Sequence, residues 1–319
     1  MEYRTLGPSG LQVSAVCFGA WAIGGRGWGE VDEAEGRAAL RRAVDLGINF
    51  FDTADIYGHG HSEEVLGREL RDVRDRVLIT TKGGRRWNDG GNYRTDASAA
   101  WLHRAIDDSL HRLGLDYVDL YQLHWPDSHV PIEESVGAAD EIRTMGKARY
   151  IGVSNYGVEE LKRALAVALI VSNQVPLNML YRENEADLLP FCAQQGVGVM
   201  AYGSLAQGLL TGKFSADHSF APGDVRSQSA LYRDDAFARN LAAVDALRPI
   251  AARLGRSVAQ VAINWVLSHP EVTCAICGAK RPAQVEENVG GAGWALSAAD
   301  LAEIAAILPE SYRSPRPLS

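Results

Sequence analysis

Short apolar runs rich in β-branched and aromatic residues alternate along the chain with longer stretches of helical periodicity. The runs fall at Val16–Gly19, Ile48–Thr53, Val77–Lys82, Tyr117–His124, Ala148–Ser154, Ile170–Val175, Gly198–Tyr202 and Thr273–Gly278. Each is apolar on both faces, the pattern of a parallel strand buried between other layers. Between them, "DEAEGRAALRRAVDLG" (Asp32 to Gly47) carries an Asp cap and a Gly stop, and "TDASAAWLHRAIDDSLHRLG" (Thr95 to Gly114) repeats the pattern. A helical pattern also follows Gly58, and others cover 132–145, 158–166, 187–195, 234–254, 258–268 and 282–289. Strands that alternate with helices predict parallel pairing with helical crossovers, and eight such units are enough to close a (β/α)8 TIM barrel.

Three decorations are expected on that repeat. "YRTLGPSGLQVS" (Tyr3 to Ser14) alternates around a Gly-Pro-Ser-Gly turn and predicts an N-terminal β-hairpin capping the barrel floor. A long polar segment, Phe214 to Asp235, interrupts the seventh βα connection, and "SAADLAEIAAIL" (Ser297 to Leu308) predicts an extra C-terminal helix followed by an extended tail. No linker or shift in composition divides the chain, so residues 1–319 are read as a single domain, with a monomer as the default.

Composition narrows the classes of function. Apolar residues make up 46% and charged residues 23%, with a formal net charge of −8, which disfavours an electrostatic grip on nucleic acid or an anionic membrane. The N-terminus lacks the basic start and apolar core of a signal peptide, and no apolar run approaches a membrane span. The four cysteines do not form a disulfide framework, so a reduced, cytoplasmic protein is expected. "CAIC" (Cys274 to Cys277) lies inside a strand, where positions i and i+3 face opposite ways, and reads as core.

An α/β barrel places its chemistry at the C-terminal ends of its strands. There the second run ends at Asp52, with Tyr57 in the following Gly-rich loop; the third ends at Lys82 and the fourth at His124. An ammonium beside a phenol favours the phenolate, so Lys82 is expected to lower the pKa of Tyr57 toward neutrality while Asp52 keeps the lysine charged. Tyr57 then donates a proton to a carbonyl oxygen that His124 orients, as hydride reaches the carbon.

These blocks make the chain similar to the aldo-keto reductases over its whole length. "GINFFDTADIYGHGHSEEVLG" resembles the signature of that family, and "ITTK", "DLYQLHWPD" and "YIGVSN" match further blocks. The resemblance implies a (β/α)8 barrel and metal-free reduction of a small aldehyde or ketone by NADPH, with catalytic Asp52, Tyr57, Lys82 and His124. It implies that Ser154, Asn155 and Gln174 hold the nicotinamide carboxamide and that Tyr202 stacks on the ring. Gly203, Ser204, Leu205, Gln207 and Gly208, from "GSLAQGLLTGK", would wrap the pyrophosphate. "GLLTGK" by itself fails as a P-loop, having three residues between its glycines rather than four. "GAKRPAQVEEN" opens a helix after the eighth strand. There Lys280 and Arg281 are two cations that suit a 2′-phosphate, Gly278 opens the cofactor-binding block, and Glu287 and Asn288 match adenine contacts; Gln284 stands where many members carry arginine.

"GGRGWG" (Gly24 to Gly29) has the wrong spacing for a dinucleotide fingerprint and is expected to rim the pocket. Trp21, Trp28, Trp87 and Trp125 are candidates for an apolar substrate wall. Substrate choice is expected to lie in the loops 24–31, 83–94, 125–130 and 214–235. Two other functions fit parts of the pattern. One is a Schiff-base lyase with Lys82 as nucleophile. The other is a nucleotide-sensing regulatory subunit, since the chain also resembles the potassium-channel β subunits within the family.

Overall fold

The structure is a computed structural model, and it describes residues 1–25, 27–28, 32–87, 93–221, 223–309 and 312. Eight parallel strands close a barrel in sequential order: β1 Val16–Gly19, β2 Phe50–Asp52, β3 Leu78–Gly83, β4 Val118–Leu123, β5 Ala148–Ser154, β6 Ile170–Pro176, β7 Gly198–Tyr202 and β8 Val272–Gly278. The helices that cross between them begin with α1 Glu33–Asp45, α2 His61–Glu69, α3 Ala99–Leu113, α4 Ile132–Thr144, α5 Val158–Val167 and α6 Leu188–Gln195. Two helices, α7 Asp234–Arg253 and α8 Val258–Leu267, separate β7 from β8; α9 Pro282–Val289 and the extra α10 Ala298–Ile307 follow. The cap signals in the sequence act as expected. Asp32 accepts from the N–H groups of Ala34 and Glu35, and Gly47 (φ +84°), just past α1, turns the chain in the left-handed conformation. Among the described residues no helix is long and apolar enough to cross a membrane.

The side-chain period of two decides what each strand puts inside the barrel. Phe51, Ile79, Tyr121, Ile151, Val199 and Cys277 face outward and join the helices in the main core. Cys17, Phe50, Leu120, Val171, Met200 and Cys274 face inward and fill the lower barrel. Cys274 and Cys277 thus lie on opposite faces, and all four cysteines are free and buried. One step up the inward face, two residues past Phe50, lies Asp52; Gln122 and His124 follow Leu120 in the same way. A filled apolar floor therefore carries a polar upper layer, and alternation alone sorts the two.

The hairpin, Tyr3–Thr5 paired with Gln12–Ser14, covers the bottom, with Leu6, Leu11 and Val13 packed into the inward cluster. Its turn seats Gly7 (φ +48°) so close to β6 and β7 that a Cβ there would lie 2.2 Å from the Val171 carbonyl oxygen. One element departs from expectation. The segment 83–94, expected as a loop, contains an antiparallel ribbon, Arg85–Trp87 with Tyr93–Thr95. The expected extended tail beyond Pro309, apart from Tyr312, and parts of the loops 24–31, 83–94 and 214–235 lie outside the described residues.

Candidate active site

The ends of β2, β3 and β4 converge as the sequence predicts. The Lys82 ammonium is fully buried and spends its three donors on Asp52 Oδ2 at 2.8 Å, Thr53 O at 2.9 Å and Tyr57 Oη at 3.3 Å. The second Asp52 oxygen accepts from Gln174 Nε2 at 2.8 Å. Tyr57 is held by backbone packed on backbone. Gly58 (φ +61°) lies against Gly24, where a Cβ would fall 2.0 Å from the Gly24 oxygen. Trp21 stacks on the Tyr57 ring, centroids 5.8 Å apart, and the His124 ring meets that ring edge-on at 6.0 Å.

The electrostatics differ from the sequence expectation in one respect. Burial raises Tyr57 above its ordinary value of 10.0, and the pull of Lys82 in the other direction does not overcome it. The phenol therefore rests fully protonated. The sequence places a cation beside Tyr57, but the cost of desolvating a phenolate comes from the closed surroundings. Burial likewise lifts the Asp52 carboxyl, against Lys82 and Gln174. It would depress Lys82, but Asp52 and Tyr57 outweigh it and keep the lysine above its ordinary value. His124 is driven well below 6.5, by burial first and then by the charges of Lys82 and Arg85, so it is a neutral imidazole at physiological pH.

Above this cluster opens a cavity of about 830 Å³, lined by Asp52, Tyr57 and His124 and by every residue that the sequence assigned to a cofactor, from Ser154 to Asn288. The proposed carboxamide group is already knit together. Asn155 Nδ2 donates to His124 O at 3.1 Å, the Tyr202 hydroxyl donates to Asn155 Oδ1 at 2.9 Å, and Ser154 Oγ donates to Gln174 O at 3.0 Å. Beyond it the chain turns through left-handed Gly203, Ala206, Gln207 and Gly208. Both polar side-chain atoms of Gln207 are buried there without a partner. Lys213, Arg226, Lys280 and Arg281 gather at the same groove. Burial, then the neighbouring cations, depress Lys213 and Lys280 below their ordinary values. Unsatisfied amide atoms beside mutually repelling cations fit a polar, polyanionic ligand such as a nicotinamide dinucleotide.

The sequence model of the Aldo/keto reductase family matches residues 15–309. The chain belongs to this family. Aldo-keto reductase YhdN of Bacillus subtilis is 38% identical over 99% of this chain and 96% of its own. A probable voltage-gated potassium channel subunit beta of Oryza sativa is 36% identical, over 91% and 90%. Among solved structures, the glycerol dehydrogenase AKR11B4 of Gluconobacter oxydans superposes with a TM-score of 0.90 at 36% identity, covering 98% of this chain and 97% of that one.

Within this aldo-keto reductase fold the aromatic wall is smaller than expected. Trp21 and Trp28 line the cavity, but Trp87 and Trp125 do not. Trp87 sits on the ribbon and stacks on His59, whereas half-buried Trp125 lies on the chain leading away from His124 toward α4. Gln284 lines the groove but spends its side-chain oxygen on the Lys280 N–H at 2.7 Å, and Glu287 accepts from the Ser257 hydroxyl. Sequence reasoning missed Lys213 and Arg226. Lys213 closes the quoted "GLLTGK", but the failed P-loop spacing hid it. Arg226 has no motif: it arrives with the long seventh connection, where Val225 N donates to Gly27 O at 2.9 Å, next to the cavity-lining Arg226 and Trp28. Lys280 Nζ, bonded to Trp28 O at 2.7 Å, joins two residues of the cavity wall.

Lys82 is no candidate for a Schiff base, being charged and fully covered. Its removal is expected to be costly. Lys82→Met leaves Asp52 buried with only Gln174 for a partner, and should lower the unfolding free energy at pH 7 by about 3 kcal/mol or more in urea denaturation. The unpaired carboxyl then binds its proton more tightly in the folded than in the unfolded chain. The deficit should therefore shrink as the pH falls toward the ordinary carboxylate range. A loss under about 1 kcal/mol would contradict the ion-pair reading.

Proposed function

We propose that the protein reduces an aldehyde or ketone to an alcohol, with NADPH as hydride donor and Tyr57 as proton donor. One observation carries the reading: the only described phenol against the buried ammonium also lines the cavity that ends in the cationic groove. Bound in that groove, the nicotinamide would supply hydride to the carbonyl carbon. Ser154, Asn155 and Gln174 would fix its carboxamide, Tyr202 would flank its ring, and Lys280 and Arg281, with Lys213 and Arg226 beside them, would meet its phosphates.

The chain's own groups handle the oxygen. Neutral His124 donates a hydrogen bond that orients the carbonyl without adding a charge. Tyr57 gives its proton to the carbonyl oxygen, and its electron pair stays on the phenolic oxygen. The Lys82 ammonium at 3.3 Å then faces a phenolate in place of a phenol. Its attraction is therefore strongest as charge develops, where stabilisation accelerates the reaction. Asp52 holds the ammonium in place and Gln174 holds Asp52, so the hydride and proton sides share one hydrogen-bonded chain.

Two measurements test this. Tyr57→Phe should lower reduction of 4-nitrobenzaldehyde by about 10²- to 10⁴-fold and leave the Kd for NADPH, read by fluorescence, within about twofold. Activity retained above about a tenth would remove Tyr57 from the role of acid. Arg281→Ala should weaken NADPH binding about tenfold and NADH binding far less. An equal effect on both nucleotides would put the 2′-phosphate elsewhere.

A further inference from the structure

One buried carboxyl of the catalytic loop has no part in the chemistry above. Asp55 lies two residues before Tyr57 and is 2% exposed, and both oxygens of its side chain are buried without a hydrogen-bond partner. Its backbone is fixed. Asp55 N donates to Lys82 O at 3.2 Å, Tyr57 N to Ala54 O at 3.1 Å and Ser62 N to Tyr57 O at 3.2 Å. Asp55 therefore belongs to the tight turn that carries the Tyr57 ring, and it cannot shift without shifting that turn.

The surroundings of Asp55 already hold charge. On the outer side of β3, Thr81 Oγ1 donates to Glu63 Oε1 at 2.5 Å, and the other Glu63 oxygen accepts from Arg112 Nε at 2.7 Å. Glu63 comes from α2 and Arg112 from α3. Arg112 also lies under the far end of the Tyr57 loop, where a Cβ on Gly60 would fall 2.4 Å from Arg112 Cδ. Two buried carboxyls thus share one guanidinium, and Glu63 holds it. The other charged or titratable groups within the field of Asp55 are Lys82 on β3, Tyr121 on β4 and Arg85 on the ribbon. Lys82 spends its three donors elsewhere, and the Tyr121 hydroxyl is itself buried without a partner. A carboxylate with no donor and a second carboxylate for a neighbour is costly there; the uncharged acid is far less so. Burial first, and then the charge of Glu63, push Asp55 well above the carboxylate range, beyond what Arg112 and Lys82 recover.

We propose that Asp55 is a positioning residue for Tyr57 and sets the alkaline limit of activity: uncharged, it lets the turn at 54–57 seat on the Glu63–Arg112 pair, and once ionised it drives the turn toward water and takes Tyr57 off the substrate oxygen. The inference rests on the carbonyl-reductase reading above and adds its regulation by pH. The proton of Asp55 leaves to solvent. The phenol keeps its own proton, because a turn displaced from Lys82 loses the contact that would favour a phenolate. The carboxyl holds its proton more tightly in the folded than in the unfolded chain. Its contribution to stability is therefore full below the ordinary carboxylate range and is lost as the pH rises through the raised value.

The test compares the wild type with Asp55→Asn, which keeps the shape of the uncharged acid and cannot ionise. With 4-nitrobenzaldehyde and saturating NADPH, wild-type kcat should fall with a midpoint below pH 10.0, the ordinary value for a phenol. Asp55→Asn should keep kcat at pH 7 within about twofold and move that midpoint up by about one unit or more. Asp55→Ser, uncharged and smaller, should move it in the same direction. In infrared spectra of ¹³C-aspartate-labelled protein, a carboxylic-acid band absent from Asp55→Asn should be present at pH 7 and vanish over the range in which kcat falls. The Tm of Asp55→Asn should exceed that of the wild type by at least about 2 °C at pH 9, and the gap should close toward pH 4. An alkaline midpoint unchanged in both variants overturns the proposal, as does the lack of that acid band at pH 7. A Tm gap independent of pH overturns it as well, because a merely structural role would give one. Turnover with neither nucleotide at any pH would defeat the reductase reading itself. The Tyr57 ¹³Cζ signal then decides the proposal: it should move with the Asp55 band, within the neutral-phenol range, in the wild type and stay fixed in Asp55→Asn. A signal that stays fixed in both overturns it.

Discussion

A lysine ammonium fully removed from water, with a carboxylate at 2.8 Å on one side and a phenol at 3.3 Å on the other, constrains everything around it. Such a charge survives only if each donor finds an acceptor and a counter-charge lies in contact. Lys82 meets that demand with Asp52, the Thr53 carbonyl and Tyr57, drawn from β2 and the loop that follows it. The barrel supplies the rest. Sequential parallel strands bring the ends of β2, β3 and β4 side by side, and the filled apolar layer beneath denies water to the cluster.

The same closure determines how the site uses its charges. In the resting protein, desolvation dominates: the phenol stays protonated and the imidazole stays neutral. The ammonium is poised for a charge that is not yet there. That arrangement suits a proton donor better than a preformed phenolate would, because the attraction to Lys82 grows as the proton leaves. It also explains why Gln174 touches both halves of the site. It completes Asp52 with its side chain and accepts from Ser154 and Asn155 with its carbonyl, so one residue ties the Asp52–Lys82–Tyr57 cluster to the wall of the groove.

Much of this was legible in the sequence, for identifiable reasons. Buried parallel strands are continuous apolar runs, and Asp52, Lys82 and His124 announced themselves as titratable residues ending three of them, with Tyr57 in the loop that follows Asp52. β2 proved shorter than its apolar run because its ladders reach only Phe50–Asp52: Phe51 and Asp52 pair with Phe18 and Gly19 of β1, and all three pair with Leu78, Ile79 and Thr80 of β3. The ribbon arms Arg85–Trp87 and Tyr93–Thr95 were read as loop although "RRWNDGGNYRT" carries a Gly-Gly pair between aromatic flanks; the arms, three residues each, gave too little alternation to count. Arg226 reaches the groove only through the folded path of the seventh connection, which no spacing rule encodes. The direction of the Tyr57 shift was misjudged for a related reason: adjacency of Lys82 is visible in strand order, whereas the degree of burial belongs to the assembled barrel.

The central claim is that burial, not the neighbouring cation, sets the resting state of Tyr57. The direct measurement is a pH titration of the ¹³Cζ resonance in tyrosine-labelled protein without nucleotide, with Tyr57→Phe identifying the signal. The account predicts a neutral-phenol shift that persists past pH 10.0, the ordinary midpoint. A phenolate shift already present near pH 7 or 8 would contradict it.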